Sequence, residues 1–340
     1  MNSVKKISFI VPAYNAEKYI AECVDNILSV PYDNIQLVVV NDGSTDATQE
    51  ILSRYDDKRL VVVEQENSGV SVARNNGIRH SDGEYIFFVD VDDIVIPQQY
   101  GDFLNKLDFD CDLYMFGYEM LNNGNVRKMP VPLEAGTYSG DSIKELCVRL
   151  FDSAFSKTYK SRYFGGKIYQ YLYAREFLIK NGIDFPEGIH FAEDCIFCFK
   201  CFSKAERLSV VEDYLYRYVV YGESASHAYR PDFWNELKTV YQIACNIAGR
   251  EIGHTNELYV YYGREIVMRI TKQFIHKEDM AIEKISELLR DPDFSNAVRN
   301  TDYDKWTFSE KIMLNLFKNG SSEKIYSYMK KKLLLKKLFH

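Results

Sequence analysis

The apolar run that begins at Tyr85 ends in three carboxylates, Asp90, Asp92 and Asp93, in "YIFFVDVDD". In extended backbone Asp90 and Asp92, two residues apart, project to one side and Asp93 to the other. Two carboxylates on one side repel each other unless a cation or a hydrogen-bond donor joins them. A hard divalent ion, Mn2+ or Mg2+, held by one or two carboxylates together with the phosphates of a ligand, suits such a pair. Acidic residues also end strands without any chemical role. "DFDCD" at 108–112 has a similar composition, but it precedes its strand and so lies at the wrong edge; it is assigned no role.

Two further stretches carry chemistry. In "NDGSTD", 41–46, Asp42 offers an acceptor to a nucleobase imide N–H, Gly43 permits a tight turn, and Ser44 or Thr45 can cap the next helix. In "SVARNNG", Arg74 is a permanent cation on a helix whose start faces the same edge. The plain alternatives are a turn with its cap and an exposed surface arginine.

These residues need elements that bring them together. "KISFIVPAYN" reads as a strand, 16–30 as a helix, "IQLVVVND" as a strand, "TDATQEILSRY" as a helix and "LVVVEQ" as a strand. "VSVARNNGIRHS" reads as the next helix, before the acidic-ended strand. Near-continuous apolar strands alternating with helices indicate a mostly parallel sheet covered on both faces. Right-handed crossovers put all C-terminal strand ends on one edge, where ligands bind. Residues 12–15, 41–46, 66–69 and 90–93 converge there. From 100 to 228 the pattern is mixed, with a strand at "DLYMFGYEM", helices near 141–152 and 174–181, and a helix after "AEDCIFCFKCF". From about 229 it is mostly helical and closes with "YMKKKLLLKKLFH". That tail reads as a Lys face opposite a Leu/Phe face, suited either to an anionic membrane surface or to docking on its own protein.

A chain of 340 residues with 46% apolar content supports one large or two modest domains. Its net charge of −7 argues against a nucleic-acid partner, which requires a basic surface. The 26 Tyr and 21 Phe supply cores or line a carbohydrate site. Seven cysteines, an odd number without a secretory segment before them, suggest a reducing, cytoplasmic setting. Cys195, Cys198 and Cys201 have helical spacing and read as a core face, since no second Cys or His pair completes a tetrahedral metal set. No apolar run reaches the roughly 18–20 residues of a membrane span.

In order and spacing, "FIVPAYN", "VVVNDGSTDAT", "ENSGVSVARNNGI" and "GEYIFFVDVDD" closely resemble glycosyltransferase family 2, whose members have the GT-A fold. "GKIYQYLYAREFLIKNGIDFPEG", "FAEDCIFCFKCF" and "YLYRYVVYGESASH" look like the second half of that family's bacterial polysaccharide branch. The resemblance implies a GT-A domain over 1–228, with a nucleotide-sugar half at 1–100 and an acceptor half at 101–228. A helical region with the basic tail follows at 229–340. It implies that Pro12, Ala13, Tyr14 and Asp42 hold the base of a nucleoside diphosphate sugar, most simply UDP-linked. Arg74 would face the nucleotide, Asp90 the ribose, and Asp92 a Mn2+ or Mg2+ ion bridging the diphosphate.

Members of the family invert the anomeric centre by direct displacement, which calls for a general base. Asp194 stands at the family's base position with Glu193 beside it, and an acidic first helical turn is the plain alternative. Ser224, Ser226 and His227 would approach the diphosphate, His227 as a phosphate donor or metal ligand, with a capping or core histidine as the plain alternative. Many relatives carry Trp where this chain has Gly165. Gly165 and Gly166 imply a roomier wall to the sugar or acceptor pocket, with Lys167 a further candidate. The implied acceptor is a glycan or lipid-linked glycan at the inner face of the plasma membrane, in capsule, exopolysaccharide or lipopolysaccharide assembly. Homo-oligomer formation is left open. A dehydrogenase would need a G-x-G-x-x-G turn where "VPAYNAEKY" has no glycine. A nucleotidyltransferase would need a Gly-rich basic loop near the N-terminus. A scaffold that binds nucleotide or glycan without turnover is the remaining alternative, and the presence of both Asp92 and Asp194 speaks against it.

Overall fold

The computed structural model describes residues 4–131, 133–150, 166–220, 233–251, 258, 278–299 and 308–338. Four parallel strands, β1 (Ile7–Ala13), β2 (Ile35–Asp42), β3 (Leu60–Gln65) and β4 (Tyr85–Phe88), alternate with α1 (Ile20–Leu28), α2 (Thr48–Leu52) and α3 (Val70–His80). This is the order the apolar pattern predicts, although α1 and α2 are shorter than expected. Then come β5 (Ile94–Val95), α4 (Pro97–Leu104), β6 (Leu113–Asn122), β7 (Asn125–Met129), β8 (Gly136–Ser139) and α5 (Asp141–Arg149). A 3-10 turn, Ile168–Gln170, leads into β9 (Tyr171–Ala174), α6 (Arg175–Lys180), α7 (Glu193–Lys204) and β10 (Arg207–Val220). The helix expected after "AEDCIFCFKCF" lies on that segment itself.

All ten strands form one sheet in the order β3-β2-β1-β4-β9-β6-β10-β5, with β7 beside β6 and β8 beside β10. The first half is parallel and the second mixed, because β9 inserts antiparallel to both β4 and β6. Two reversals restore direction, so β6 and its parallel neighbour β10 run the same way as β4. Their C-terminal ends therefore reach the edge where β1, β2 and β4 end.

Successive residues of the central strands feed two cores. Phe9, Val11, Leu37, Val39 and Phe87 face the layer that contains α1 and α4. Ile10, Val38, Val40, Ile86 and Phe88 face the one that contains α3, α5 and α7. Burial on both faces is why these strands read as unbroken apolar runs. Each large side chain so buried contributes roughly 1.5–3 kcal/mol. Pro12 sits past the end of the β1–β4 pairing, which stops at Ile10 opposite Phe88, so its missing N–H costs no hydrogen bond on that side. Cys198 and Cys201 are buried and Cys195 half-buried, and no group of His, Cys, Asp or Glu among the described residues forms an all-protein metal cluster.

After the sheet the described residues are helical: α8 (Phe233–Glu251), α9 (Glu278–Arg290), α10 (Pro292–Arg299), α11 (Phe308–Asn319) and α12 (Ser322–Leu338). Ile325, Tyr326 and Met329 of α12 are buried in the helical core. The Leu/Phe face expected for the tail falls on side chains outside those described. No described helix is long and apolar enough to cross a membrane.

Candidate active site

Arg74 lies at the centre of the converging edge. It is only 4% exposed, which excludes the surface-arginine alternative. Its Nη1 donates to Asp194 Oδ1 at 2.7 Å and to Glu193 Oε1 at 3.4 Å, and its Nη2 donates to Asp90 Oδ1 at 2.9 Å. One guanidinium thus joins the acidic motif after β4 to the first turn of α7, a use of the planar fork that a lysine cannot reproduce. Helix α3 comes close enough to do this because Gly77 packs directly on Ile10 of β1, where any Cβ would collide with the Ile10 side chain. The neighbouring Asn75 exchanges two hydrogen bonds with the Phe185 backbone, 2.9 and 2.8 Å. The Phe185 ring lies under the guanidinium, 5.2 Å from centroid to Cζ, and stacks on Phe197 of α7 at 3.9 Å. Sheet, α3 and α7 are therefore fastened to one another at the site.

The acidic motif is a turn rather than an extended strand. β4 stops at Phe88, and the Asp93 N–H closes onto the Asp90 carbonyl at 3.0 Å. The strand alternation expected for Asp90, Asp92 and Asp93 therefore does not apply. Asp93 turns inward and accepts hydrogen bonds from Tyr216 Oη at 2.6 Å and the Val219 N–H at 2.7 Å. The same hydroxyl accepts the Asp90 N–H at 3.2 Å, so Tyr216 props the turn from β10. Burial, and then the charge of Asp90, push the Asp93 carboxyl up to about 8. Asp92 is half-buried and is also raised, by burial first and by Asp90 second. Beside the turn is a cavity of about 160 Å³ between α1 and the ends of β6 and β10, with Asp92, Glu22 and Val219 on its wall.

Asp92, on the cavity wall with Asp90 beside it, is the carboxylate that could hold a hard divalent cation, which would need ligand oxygens to complete its shell.

At the far end of the edge, Tyr14 is 52% exposed, Pro12 is half-buried and Ala13 is buried. Asp42 is buried and heavily used: Oδ1 accepts from Gln65 Nε2 at 2.7 Å and the Ser68 N–H at 2.8 Å, and Oδ2 accepts from the Gly69 N–H at 2.9 Å. It shapes the loop that starts α3. One acceptor site on Oδ2 is left over by this count, enough for a single imide N–H. Gly43 has φ +69°, so its turn requires glycine as expected. Ser44 and Thr45 do not cap α2. They tie the neighbouring loop, the Asn15 N–H donating to Ser44 Oγ and the Thr45 N–H to Asn15 Oδ1, while Asp46 Oδ1 receives the Thr48 N–H.

Asp194 has a side chain 28% exposed. Burial raises its carboxyl above the ordinary range, the Arg74 charge opposes this, and Glu193 and Asp90 add to the rise. Lys167, at the start of the 3-10 turn, is pushed down to about 7 by burial and lies over the Tyr118 ring at 5.5 Å. Three residues were not singled out from the sequence: Tyr216 and Asn75, which act at long range, and His190, whose Cε1 lies 3.8 Å from where a Cβ on Gly69 would stand. Asn75 lies within the quoted "SVARNNG", but its i+1 position beside Arg74 carries no signal of its own. Gly165, Ser224, Ser226 and His227 fall outside the described residues.

The model of "Glycosyl transferase family 2" matches residues 8–166. The uncharacterized glycosyltransferase EpsJ of Bacillus subtilis is 32% identical over 240 residues, 69% of this chain and 67% of EpsJ. TarS of Staphylococcus aureus, a poly(ribitol-phosphate) beta-N-acetylglucosaminyltransferase, is 30% identical over 265 residues, 74% of this chain but 43% of TarS. The crystal structure of TarS residues 1–349 in complex with UDP-GlcNAc superposes with a TM-score of 0.69 at 22% identity, covering 97% of this chain and 92% of that one. A mannosyltransferase from Pyrobaculum calidifontis, solved with GDP-Man and Mn2+, gives a TM-score of 0.52 at 16% identity, covering 96% of this chain and 86% of that one. At those identities the structural likeness is one of fold. From its central sheet to its acidic turn, this chain belongs to glycosyltransferase family 2.

Proposed function

We propose that the chain transfers a sugar, with inversion, from a UDP-linked donor to a hydroxyl of a glycan or lipid-linked glycan in cell-surface polysaccharide assembly. The observation that carries this reading is the Arg74 clamp, which brings together Asp194 from the first turn of α7 and Asp90 from the turn after β4. Family membership supports the transferase chemistry, and the names of the relatives support a surface polymer as product.

In this reading Tyr14, Pro12, Ala13 and Asp42 receive the base, and Asp90 the ribose. Asp194 accepts the proton of the acceptor hydroxyl while its oxygen bonds to the anomeric carbon. The bond from that carbon to the diphosphate oxygen breaks, and its electron pair leaves on the phosphate. Arg74, buried and permanently charged, stabilises negative charge on this side of the site without reorganising. A Mn2+ or Mg2+ ion held at Asp92, with Asp90 beside it, would neutralise charge on the departing diphosphate. The working place is the inner face of the plasma membrane. Deletion of 324–340, with binding to anionic vesicles as readout, tests whether the tail supplies peripheral attachment there, and unchanged binding would dismiss that role.

The primary test is a panel of UDP-, GDP- and dTDP-sugars, measured by calorimetry and slow donor hydrolysis with Mn2+ or EDTA, on wild type and Asp92→Ala. Cation-dependent binding of a UDP-sugar, lost in the variant, is expected. Absence of binding to every nucleotide would refute the reading in favour of a non-catalytic scaffold.

A further inference from the structure

The pose of Asp194 rests on two backbone features outside the reacting groups. The first is Ala192, the residue from which α7 springs, with φ +58° and ψ 22° in the left-handed region. Asparagine tolerates that region, and Asn15 and Asn123 adopt it here, but alanine has no side-chain polar group to favour it. Strain of this kind persists only where the surroundings impose it, and it gathers at functional sites. Its effect is to swing the chain abruptly into the helix. The Ala192 carbonyl accepts the Ile196 N–H at 3.0 Å as the first helical bond, and the next two residues, Glu193 and Asp194, meet Arg74.

The second feature is Gly166. A Cβ there would stand 2.5 Å from Cys195 Cα and 3.2 Å from Cys195 N. The strand-leading segment thus lies backbone to backbone against the residue that follows Asp194, and no side chain fits between them. Movement of this wall would be transmitted to the first turn of α7. On other sides the helix start is held by Phe191 against Phe233, centroids 5.0 Å apart, and by the Phe185–Phe197 stack, so the turn has little room to adjust.

We propose that Ala192 and Gly166 are positioning residues that set where the Asp194 carboxylate stands relative to Arg74 and to the acceptor hydroxyl. This rests on the reading of Asp194 as the base. Neither is among the residues that receive the base in this reading, so their loss acts on the proton-accepting step and leaves binding of the nucleotide itself in place. At position 192 the requirement is for a residue that can hold positive φ, not for alanine's side chain.

The test compares Gly166→Ala, Ala192→Val and Ala192→Gly by UDP affinity, kcat, KM, the pH profile of kcat/KM and Tm. Gly166→Ala and Ala192→Val are expected to lower kcat by about tenfold or more, since displacements of about 1 Å cost up to about a hundredfold. Kd for UDP should stay within about twofold, and the pH midpoint should move, because the distance to Arg74 acts on the Asp194 carboxyl beside its burial. Ala192→Gly, which adopts positive φ freely, should retain near wild-type kcat. Wild-type kcat and pH midpoint in both Gly166→Ala and Ala192→Val would overturn the proposal. So would a loss in Ala192→Gly equal to that in Ala192→Val, or rates that fall only in step with UDP affinity and Tm. If Gly166→Ala fails to fold, the Val and Gly pair at 192 decides alone. Full activity in Asp194→Asn would instead remove the reading of the base, whatever these variants do.

Discussion

Replacing Arg74 by methionine keeps the length of the side chain and removes its charge, leaving Asp90, Glu193 and Asp194 facing one another without a neutralising group. Two short charge-assisted hydrogen bonds, 2.7 and 2.9 Å, are lost with it. At about 1.5–3 kcal/mol each they amount to about 3–6 kcal/mol. Breaking a buried ion pair from one side costs about 3–5 kcal/mol. The carboxylates are 32%, 15% and 28% exposed, so water recovers part of their solvation and the lower end, about 3 kcal/mol, is expected at pH 7. The sign of the pH dependence follows from Asp194. Its carboxyl is already raised by burial, and Arg74 is the influence that lowers it. Without Arg74 it rises further, so its stabilising contribution, present at low pH and lost as pH climbs through the folded-state value, makes the deficit larger at pH 8.5 than at pH 6. Arg74→Lys retains one charge but loses the fork, and should cost about half as much. Equilibrium urea unfolding at the two pH values measures this, provided the slope of the transition is unchanged. A methionine variant within about 0.5 kcal/mol of wild type at both pH values would refute the clamp, since that is the range of ordinary surface substitutions.

The base can be addressed directly: kcat/KM for transfer should fall as pH is lowered, with a midpoint above the ordinary carboxylate value near 4, and Asp194→Asn should lower kcat by about 10²–10⁴. Asp93, raised to about 8, contributes stability that is full below its unfolded value near 4 and is lost as pH rises through about 8. Asp93→Asn, which can still accept from Val219 and now donates to Tyr216 Oη, should flatten the fall in Tm between pH 5 and pH 9. At Gly77, alanine would drive a methyl into the buried Ile10 side chain, so Gly77→Ala should destabilise by about 1–3 kcal/mol despite its better helix propensity, with weaker nucleotide binding as α3 lifts from β1.

What could be read from the sequence divides from what could not by the range of the interactions that decide it. The strands β1 to β4 and helix α3 were legible because each is set by its own apolar pattern, and the convergence of their ends then follows from handedness alone. Asp90 and Asp92 were legible as a pair but not in their geometry, because the turn is set by Tyr216, which lies 123 residues from Asp93 and looks like any other aromatic in a strand. The reversal at β9 was invisible for the same reason: four residues, "YLYA", carry no mark that they pair antiparallel with strands on both sides. The start of α7 is hidden most completely, since a left-handed turn is normally announced by glycine and here is carried by Ala192. Motifs thus identify which residues gather, whereas their mutual arrangement is decided by contacts between segments far apart in the chain. Asp90 and Asp194 come from segments more than a hundred residues apart, and it is a third element, the buried helix that carries Arg74, which makes their charges tolerable in one place. A variant chain that keeps both acidic motifs and loses that arginine would leave its two carboxylate clusters with every electrostatic reason to move apart.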